Sequence, residues 1–308
     1  MPETQRARVG DVELAFERFG DPARGRPLVL IMGIGSQRVM WDDNFCDQLV
    51  ARGFCVVRFD HRDIGESSRI DAPVPRPAPL LVRRTLGLAV RAPYTLSDMA
   101  SDVAGLIAAA GFDRAHVVGV SLGGMVAQHL AIEHPDRVRS MVSIMSTPGA
   151  RRYLPRPRAM LALFRKPPKT ADEAGRQIEQ TFRVIGSTAW PVDGDRLRAL
   201  GARAFERGLS PRGFLRHFAA VLASGDRRRQ LREVHVPSLI IHGSSDPMFP
   251  IRAGRDLARL MPDATWLPIA GMGHDLPRPL WPTLVAAIAR HAERADARAS
   301  RVDHVAPA

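Results

Sequence analysis

The sequence predicts an α/β fold in which a mainly parallel central sheet has helices on both faces and carries an inserted helical cap. Short apolar runs alternate with helical patterns along most of the 308 residues. Short connections join these elements, which is typical of the repeated βα units that build a parallel sheet. One long stretch, residues 148–234, has helical patterns without a convincing strand, and it indicates the cap.

The N-terminal elements are expected to form a hairpin that leads into a buried strand. Apolar residues alternate with Glu13 and Glu17 over residues 12–17, as in a strand with one exposed face. The apolar run 27–32 is continuous and stops at Gly33, which is typical of a central parallel strand. A helix over 41–52 and a strand over 55–59 are expected next.

Helices and strands continue to alternate through the rest of the chain. A helical pattern begins near Ser97, its expected N-cap, and ends near Gly111. The other expected elements are strand 116–120, helix 122–134, strand 138–145, strand 238–242, helix 253–260, strand 264–269 and helix 281–292.

The expected domain organisation is an α/β core of residues 1–147 and 235–292 with the cap, 148–234, inserted between two of its strands. The tail 293–308 is rich in Arg and Ala. Because it has little apolar surface to bury, it is expected to be disordered. The helical patterns inside the cap cover 171–185, 196–207 and 211–222.

A second insertion covers residues 71–93. Prolines crowd its first part, and a leucine-rich run follows at 80–90. A proline-rich loop that leads into a short amphipathic helix is the expected form. We expect its leucines to pack against the cap and narrow the substrate pocket, with a loop on the outer surface as the alternative.

The chain is basic, with 44 Lys and Arg against 32 Asp and Glu and a formal net charge of +12. The basic residues are scattered over predicted helices, and no aromatic residues interleave with them as a single-strand nucleic-acid surface would need. We therefore expect a solvated basic face and no nucleic-acid partner. Attraction to anionic membranes or acidic ligands is the alternative.

No run of about 18 apolar residues is present, and the N-terminus lacks the apolar core of a signal peptide. A cytoplasmic protein without stable membrane insertion is expected. Cys46 and Cys55 lie in no metal-ligand spacing and are expected to be small buried hydrophobes. No HxxxH or HExxH spacing occurs, so neither a metal nor another cofactor is expected. The sequence does not indicate an oligomeric state.

Residues 119–123 read Gly-Val-Ser-Leu-Gly and match the GxSxG nucleophile elbow. The motif follows an apolar strand and opens a helix, which is the context that the elbow requires. Ser121 is the candidate nucleophile. Gly119 and Gly123 are the glycines that allow close backbone approach on either side of it. A plain turn or a glycine-rich phosphate loop is the alternative.

A serine nucleophile needs a base, and the base needs an orienting acid. In this type of fold the chain order is Ser, then Asp or Glu, then His, each after a strand. Asp246 follows the strand expected to end at 242, and His274 follows the strand expected to end at 269. They are the candidate acid and general base; a turn-forming aspartate before proline and a surface histidine are the alternatives.

The tetrahedral intermediate of acyl transfer needs two backbone N–H donors. One is expected from Leu122, which follows the nucleophile. The other is expected from Ile34, in the loop after the strand that stops at Gly33. The turn 60–67, which reads Asp-His-Arg-Asp-Ile-Gly-Glu-Ser, closes the next strand. Its expected role is structural, with its charged side chains holding the loop beneath the active site.

These motifs resemble the α/β-hydrolase superfamily across about residues 12–292. The Met32-Gly33 loop, Trp41 and the turn after Phe59 are similar to those of the aclacinomycin methylesterase group of carboxylic ester hydrolases. The resemblance implies a cofactor-free serine esterase with a helical cap, acting on a small-molecule ester through an acyl-enzyme. A lactone, macrolide or thioester hydrolase on the same triad, and a non-catalytic ligand-binding protein, remain alternatives.

Overall fold

A computed structural model describes residues 2–303 of the chain, and one eight-stranded sheet runs through them. Its strands are β1 (Gln5–Val9), β2 (Val12–Phe19), β3 (Arg26–Ile31), β4 (Phe54–Phe59), β5 (Ala115–Val120), β6 (Val138–Ile144), β7 (Ser238–Gly243) and β8 (Ala264–Ile269). Their order in the sheet is β1-β2-β4-β3-β5-β6-β7-β8. The expected N-terminal hairpin forms the antiparallel edge, and every pairing from β4 to β8 is parallel.

Helices cover both faces of this sheet, as the sequence predicts. The helices of the described residues are α1 (Asp43–Val50), α2 (Pro77–Thr85), α3 (Leu96–Ala109), α4 (Leu122–Glu133), α5 (Pro157–Leu163), α6 (Ala171–Ile185), α7 (Gly194–Glu206), α8 (Pro211–Ser224), α9 (Arg228–Leu231), α10 (Ile251–Leu260) and α11 (Trp281–Asp303).

Successive side chains of β3 point to opposite faces of the sheet, which divides the core into two layers. Val29 and Ile31 belong to the cluster that includes apolar side chains of α3, α4 and α10. Leu28 and Leu30 belong to the opposite cluster, with apolar side chains of α1 and α11. All four side chains are fully buried. A strand buried on both faces is continuously apolar, which explains why its sequence does not alternate.

Glu17 departs from the expectation of a half-exposed β2. Its side chain is buried because it forms ion pairs with two buried arginines, Arg38 at 3.0 Å and Arg58 at 2.6 Å. The alternation of apolar and acidic residues therefore does not report exposure in this strand. Paired charges can replace apolar contacts at a buried position when their hydrogen bonds are satisfied.

The chain between β6 and β7 contains the five helices α5 to α9 and, among the described residues, no strand. Helices α6, α7 and α8 coincide with the three helical patterns of the sequence to within two residues at each end. Their amphipathic spacing was therefore a reliable signal. We continue to call residues 148–234 the cap.

The expectation of a disordered tail is wrong for residues 293–303, which continue α11. The inner face of this helix remains packed, since Ala295 is buried. Arg298 also forms an ion pair with Asp263 at 2.8 Å. The apolar residues of this segment are mostly alanines, which are too small to produce a clear helical pattern of hydrophobic residues in the sequence. Residues 304–308 of the expected tail lie outside the described residues.

The N-cap of α3 also differs from expectation. Thr95, not Ser97, caps this helix, and its side chain accepts a hydrogen bond from the N–H of Asp98. The Asp98 carboxylate accepts in return from the N–H of Thr95 at 2.7 Å. This reciprocal capping box satisfies two free N–H groups at once, whereas Ser97 donates its hydroxyl to Glu133.

The insertion at 71–93 forms α2, as expected, and α2 packs against α8 of the cap. The expectation that this insertion narrows the substrate pocket is wrong, because no residue of 71–93 lines the cavity described below. Cys46 and Cys55 are both buried and free, as expected. Across residues 2–303, none of the helices combines the length and the apolarity needed to cross a lipid bilayer.

Candidate active site

Ser121 lies on a sharp turn between β5 and α4. Its backbone has φ 54° and ψ −117°, a strained conformation for a residue with a Cβ atom. A Cβ added at Gly123 would lie 2.1 Å from the carbonyl oxygen of Ile31, and one at Gly119 would lie 2.2 Å from the carbonyl oxygen of Gly123. Gly123 therefore permits the tight approach of α4 to β3, and Gly119 permits the tight approach of the first turn of α4 to β5.

The structure brings the three predicted triad side chains together. The Ser121 hydroxyl lies 3.0 Å from Nε2 of His274, and Nδ1 of His274 lies 2.9 Å from Oδ2 of Asp246. They come from the loops that follow β5, β7 and β8 at the carboxyl ends of these strands, where open parallel sheets place their ligand and catalytic loops. Both distances are within hydrogen-bond range.

Hydrogen bonds from the backbone fix the Asp246 carboxylate in a position where it can orient the His274 ring. Its other oxygen, Oδ1, accepts hydrogen bonds from the N–H groups of Met248 at 2.7 Å and Phe249 at 3.0 Å. Burial opposes ionisation of this carboxyl, but the charge and hydrogen bond of His274 oppose that effect, and the pKa of Asp246 lies below its ordinary value. Because an ionised carboxylate can only accept, it holds the imidazole proton on Nδ1 and leaves Nε2 free to take the serine proton.

Asp275, next to the base, is turned away from it. Its carboxylate accepts a hydrogen bond from the Ser187 hydroxyl at 2.5 Å, and burial raises its pKa above the ordinary value. Asp246 is therefore the carboxylate that contacts the histidine ring.

The loop after β3 passes directly over the serine. A Cβ added at Gly33 would lie 3.7 Å from the Ser121 Cβ, and Ile34 borders the same cavity as the serine. In the part of the chain that the structure describes, the N–H groups of Ile34 and Leu122 have no acceptor in the protein. The two predicted oxyanion donors are thus both unpaired beside Ser121, the candidate nucleophile.

Ser121 and His274 open into a cavity of about 580 Å³ beneath the cap. Its walls are mainly apolar, with Trp41 and Phe45 on the core side and Leu163, Phe182 and Ile185 on the cap side. Pockets of this size that are apolar apart from a few converging polar groups are typical of small-molecule sites.

Strands β3 to β8 and the loops that carry the candidate triad all lie within a stretch that matches one protein family. A family model described as "alpha/beta hydrolase fold" matches residues 26–277. The chain belongs to the α/β-hydrolase fold family. The fold class expected from the sequence is confirmed, both by this match and by the parallel sheet with helices on its two faces.

Curated relatives of this α/β hydrolase include methylesterases. The rhodomycin D methylesterase of Streptomyces peucetius is 29% identical, with 92% of this chain and 96% of the relative covered. The pimeloyl-(acyl-carrier protein) methyl ester esterase of Chromobacterium violaceum is 35% identical over 166 residues, with 54% of this chain and 65% of the relative covered. These relatives confirm the expected enzyme class, an α/β hydrolase of the esterase type.

Solved structures also resemble the hydrolase across nearly its whole length. The enol-lactonase from Burkholderia xenovorans matches with a TM-score of 0.69 and 21% identity, covering 93% of this chain and 99% of the other. The meta-cleavage product hydrolase from Pseudomonas fluorescens matches with a TM-score of 0.73 and 16% identity, covering 94% and 98%. At these identities the likeness shows the shared fold.

Sequence reasoning missed the contacts by which two histidines hold the loop after β3, which carries the predicted oxyanion donor Ile34. The N–H of Gly35 donates to Nδ1 of His217 on α8 at 3.3 Å, and Nε2 of His217 lies 3.0 Å from the carbonyl oxygen of Arg62. From the other side, Nε2 of His61 lies 3.0 Å from the carbonyl oxygen of Met32. Burial lowers the pKa of His61 to about 3 and that of His217 to about 4, so both rings are neutral near pH 7.

The turn 60–67, which contains His61, also holds the cap. Asp60 accepts a hydrogen bond at 2.7 Å from Nη2 of Arg207, the residue that follows α7. Asp63 accepts a bidentate pair of hydrogen bonds from Arg216 on α8, at 2.7 and 2.8 Å. Both aspartates are fully buried, and bidentate arginine pairs are among the stronger polar contacts in proteins. The carboxylates of the turn thus attach the cap, which is more than the loop-holding role expected from the sequence.

Proposed function

We propose that the protein hydrolyses a carboxylic ester through an acyl-enzyme formed on Ser121. The observation that carries the proposal is the continuous chain of contacts from Ser121 Oγ to His274 and Asp246, at 3.0 and 2.9 Å, at the floor of an apolar cavity. A hydroxyl, an imidazole and a carboxylate in this order are the parts of a nucleophilic triad.

In the first half of the proposed reaction, His274 Nε2 takes the proton of Ser121 Oγ as that oxygen attacks the ester carbonyl carbon. The carbonyl π electrons move onto oxygen, and the N–H groups of Ile34 and Leu122 donate hydrogen bonds to the resulting oxyanion. Collapse of the intermediate breaks the bond to the alcohol oxygen. That oxygen takes the proton from His274 and leaves as the alcohol.

In the second half, a water molecule enters in place of the alcohol. His274 takes a proton from the water as its oxygen attacks the acyl carbon, the Ser121 ester bond breaks, and Ser121 Oγ regains a proton from His274. Asp246 stabilises the imidazolium in both halves without taking the proton. The products are one carboxylic acid and one alcohol per ester and water consumed.

The proposed substrate is an apolar ester of a small alcohol. Apolar walls around the triad favour a substrate with little charge near the reacting carbonyl. Some curated relatives are named as enzymes that act on methyl esters, and others are named as putative carbamate hydrolases. The methyl ester relatives support a small leaving alcohol. A cavity of about 580 Å³ accommodates a bulky acyl group.

Labelling with a fluorophosphonate probe, followed by peptide mapping, tests the nucleophile. Wild type is expected to carry the probe on Ser121, and Ser121→Ala to remain unlabelled. Ser36→Ala is the matched control, because Ser36 borders the same cavity and should leave labelling intact. Labelling of Ser121→Ala at the wild-type rate, or hydrolysis of p-nitrophenyl esters by that variant within tenfold of wild type, would refute the proposal.

A further inference from the structure

Two segments of the chain carry a concentrated positive charge. Residues 72–97 and 145–171 contain no Asp or Glu, yet the chain as a whole has 32 of them. Their basic residues are Arg76, Arg83, Arg84, Arg91, Arg151, Arg152, Arg156, Arg158, Arg165, Lys166 and Lys169. These eleven charges nearly equal the whole net charge of +12, so the charge of the protein is not evenly spread.

The two segments share one surface. Nη2 of Arg84, in α2, donates to the carbonyl oxygen of Gly149 at 2.5 Å, and Nη1 of Arg151 donates to the carbonyl oxygen of Thr85 at 3.4 Å. Burial and the nearby positive charge of Arg151 lower the pKa of Arg84, and the negative charge of Asp226 offsets part of this effect. Like charges are therefore brought together here, and we call the surface formed by residues 72–91 and 151–169 the basic face.

Within the described residues, the carboxylates of the protein neutralise almost none of these charges. Arg152, which pairs with Asp256 at 2.8 Å, is the only basic side chain of the basic face with a carboxylate within 4.0 Å in the described part of the chain. Elsewhere, arginines such as Arg38 and Arg58 each pair with more than one carboxylate. An unneutralised cluster attracts an anionic surface.

The basic face also exposes large apolar side chains. It holds seven of the nine exposed large hydrophobic residues found among residues 2–303. They are Val74, Leu81, Val82, Leu86, Leu88, Leu154 and Leu161. Exposed apolar clusters of this kind mark binding surfaces.

Helix α2 shows how the apolar side chains come to face outward. It contacts the rest of the protein through Pro77, Leu80 and Arg84, which are spaced three and four residues apart and are half-buried. Val82 lies on the opposite side, with 58% of its surface exposed, and Leu81 lies at the edge of the contact face, with 37% exposed. A helix that turns leucine and valine outward beside arginine has the pattern of an interfacial helix.

We propose that the basic face docks the protein on the surface of an anionic phospholipid bilayer. The arginines and lysines contact lipid phosphates, and the leucines enter the boundary between head groups and acyl chains. Charge complementarity and exposed aliphatic side chains together select this partner. Single-stranded nucleic acid would require aromatic stacking, and none of the exposed large hydrophobics of this face is aromatic.

The basic face adjoins the substrate cavity through α5. Leu161 of this helix is 71% exposed on the outside, and Leu163, two residues on, lines the cavity. Docking would therefore bring the cap of the proposed esterase against the bilayer. The docking itself does not depend on the proposed function, and a binding assay tests it without turnover.

Co-sedimentation of the full-length protein with large unilamellar vesicles tests the proposal. At 50 mM salt we expect at least tenfold more binding to vesicles of phosphatidylcholine with 30% phosphatidylglycerol than to phosphatidylcholine alone, with the difference falling as salt rises. Equal binding to both vesicles, or none to the anionic vesicles, would overturn it.

Paired variants separate the basic face from the overall charge. Arg76→Glu with Arg158→Glu should lower binding at least fivefold. Arg8→Glu with Arg52→Glu makes the same change in net charge at exposed arginines elsewhere, and should stay within twofold of wild type. An equal loss in both pairs would mean that net charge alone drives binding, and would refute docking by this face.

Apolar variants distinguish a bilayer from any other polyanion. Leu86→Ser with Leu161→Ser should lower vesicle binding at least fivefold, whereas Val184→Ser, at an exposed position on α6, should have little effect. Circular dichroism and thermal unfolding show whether each variant is folded. If the leucine pair binds vesicles like wild type, or if polyglutamate competes with vesicles at equal charge, the face recognises acidic polymers and the proposal is wrong.

Discussion

Replacing His217 should impair the proposed reaction although this residue lies on the cap and contacts none of the triad. His217 is fully buried and holds two backbone groups at once, the N–H of Gly35 and the carbonyl of Arg62. Only the neutral ring with its proton on Nε2 can accept from one group and donate to the other. Leucine is similar in size and can do neither.

The magnitude follows from these two contacts. A partly buried polar group that loses its partner costs about 1–3 kcal/mol, so the loss of both contacts in His217→Leu should lower the free energy of unfolding by about 2–6 kcal/mol. Gly35 is one residue from the proposed donor Ile34, and loss of one oxyanion donor costs about 10²–10³ in kcat. Because His61 still holds Met32 at 3.0 Å, the loop stays partly fixed, and we expect a loss of about 10–100-fold.

Steady-state kinetics and urea unfolding measure both effects. His217→Leu should lower kcat more than it raises KM and should weaken binding of a trifluoromethyl ketone, whose adduct carries an oxyanion. His217→Gln keeps an acceptor and a donor and should recover most of the loss. His291→Leu is the matched control, because His291 is also buried and bonded to a backbone carbonyl, that of Pro237 at 3.2 Å, away from the loop. A folded His217→Leu with kcat and inhibitor affinity within twofold of wild type would refute the reasoning.

Three further predictions follow from the site. His274→Ala should lower kcat/KM for p-nitrophenyl esters by about 10³-fold or more, since triads act as a unit; a loss below tenfold would remove it from the reaction. Asp246→Asn should cost about 10³–10⁴-fold, because the amide cannot stabilise the imidazolium and favours the wrong tautomer, and normal turnover would mean that another carboxylate is the acid. The free energy of unfolding should fall as pH drops from 6.5 toward 4, by up to about 1.4 kcal/mol per pH unit for each of His61 and His217. Their pKa values of about 3 and about 4 lie below the ordinary 6.5, so the unfolded chain binds the protons first; a flat urea-titration profile would contradict this.

The fold and the arrangement of the candidate triad were predictable because each depends on local patterns. Apolar runs of five or six residues and helical spacing identify the βα units. A GxSxG motif between a strand and a helix marks Ser121 without any long-range information. Parallel strands place their following loops at one edge of the sheet, so Asp246 and His274 could be selected from chain order alone.

The buried polar contacts were not predictable, because they join residues far apart in the sequence. The bond between Gly35 and His217 spans 182 positions, and the pair of Asp63 and Arg216 spans 153. In a chain with 44 basic residues, no spacing or composition identifies which arginine pairs with a given aspartate. The burial of Glu17 was not predictable for the same reason, since its buried partners Arg38 and Arg58 lie on other elements.

One turn of four residues, Asp60 to Asp63, therefore connects parts of the molecule that the sequence presents as separate. Asp60 and Asp63 hold the cap, His61 holds the loop with the proposed oxyanion donor, and the carbonyl of Arg62 anchors His217. A change that shifts α8 must also alter a contact to the oxyanion loop, because His217 belongs to both. We therefore expect cap variants to alter kcat even where the variant lines no part of the cavity, because the cap contacts the loop that carries the proposed oxyanion donor as well as the cavity.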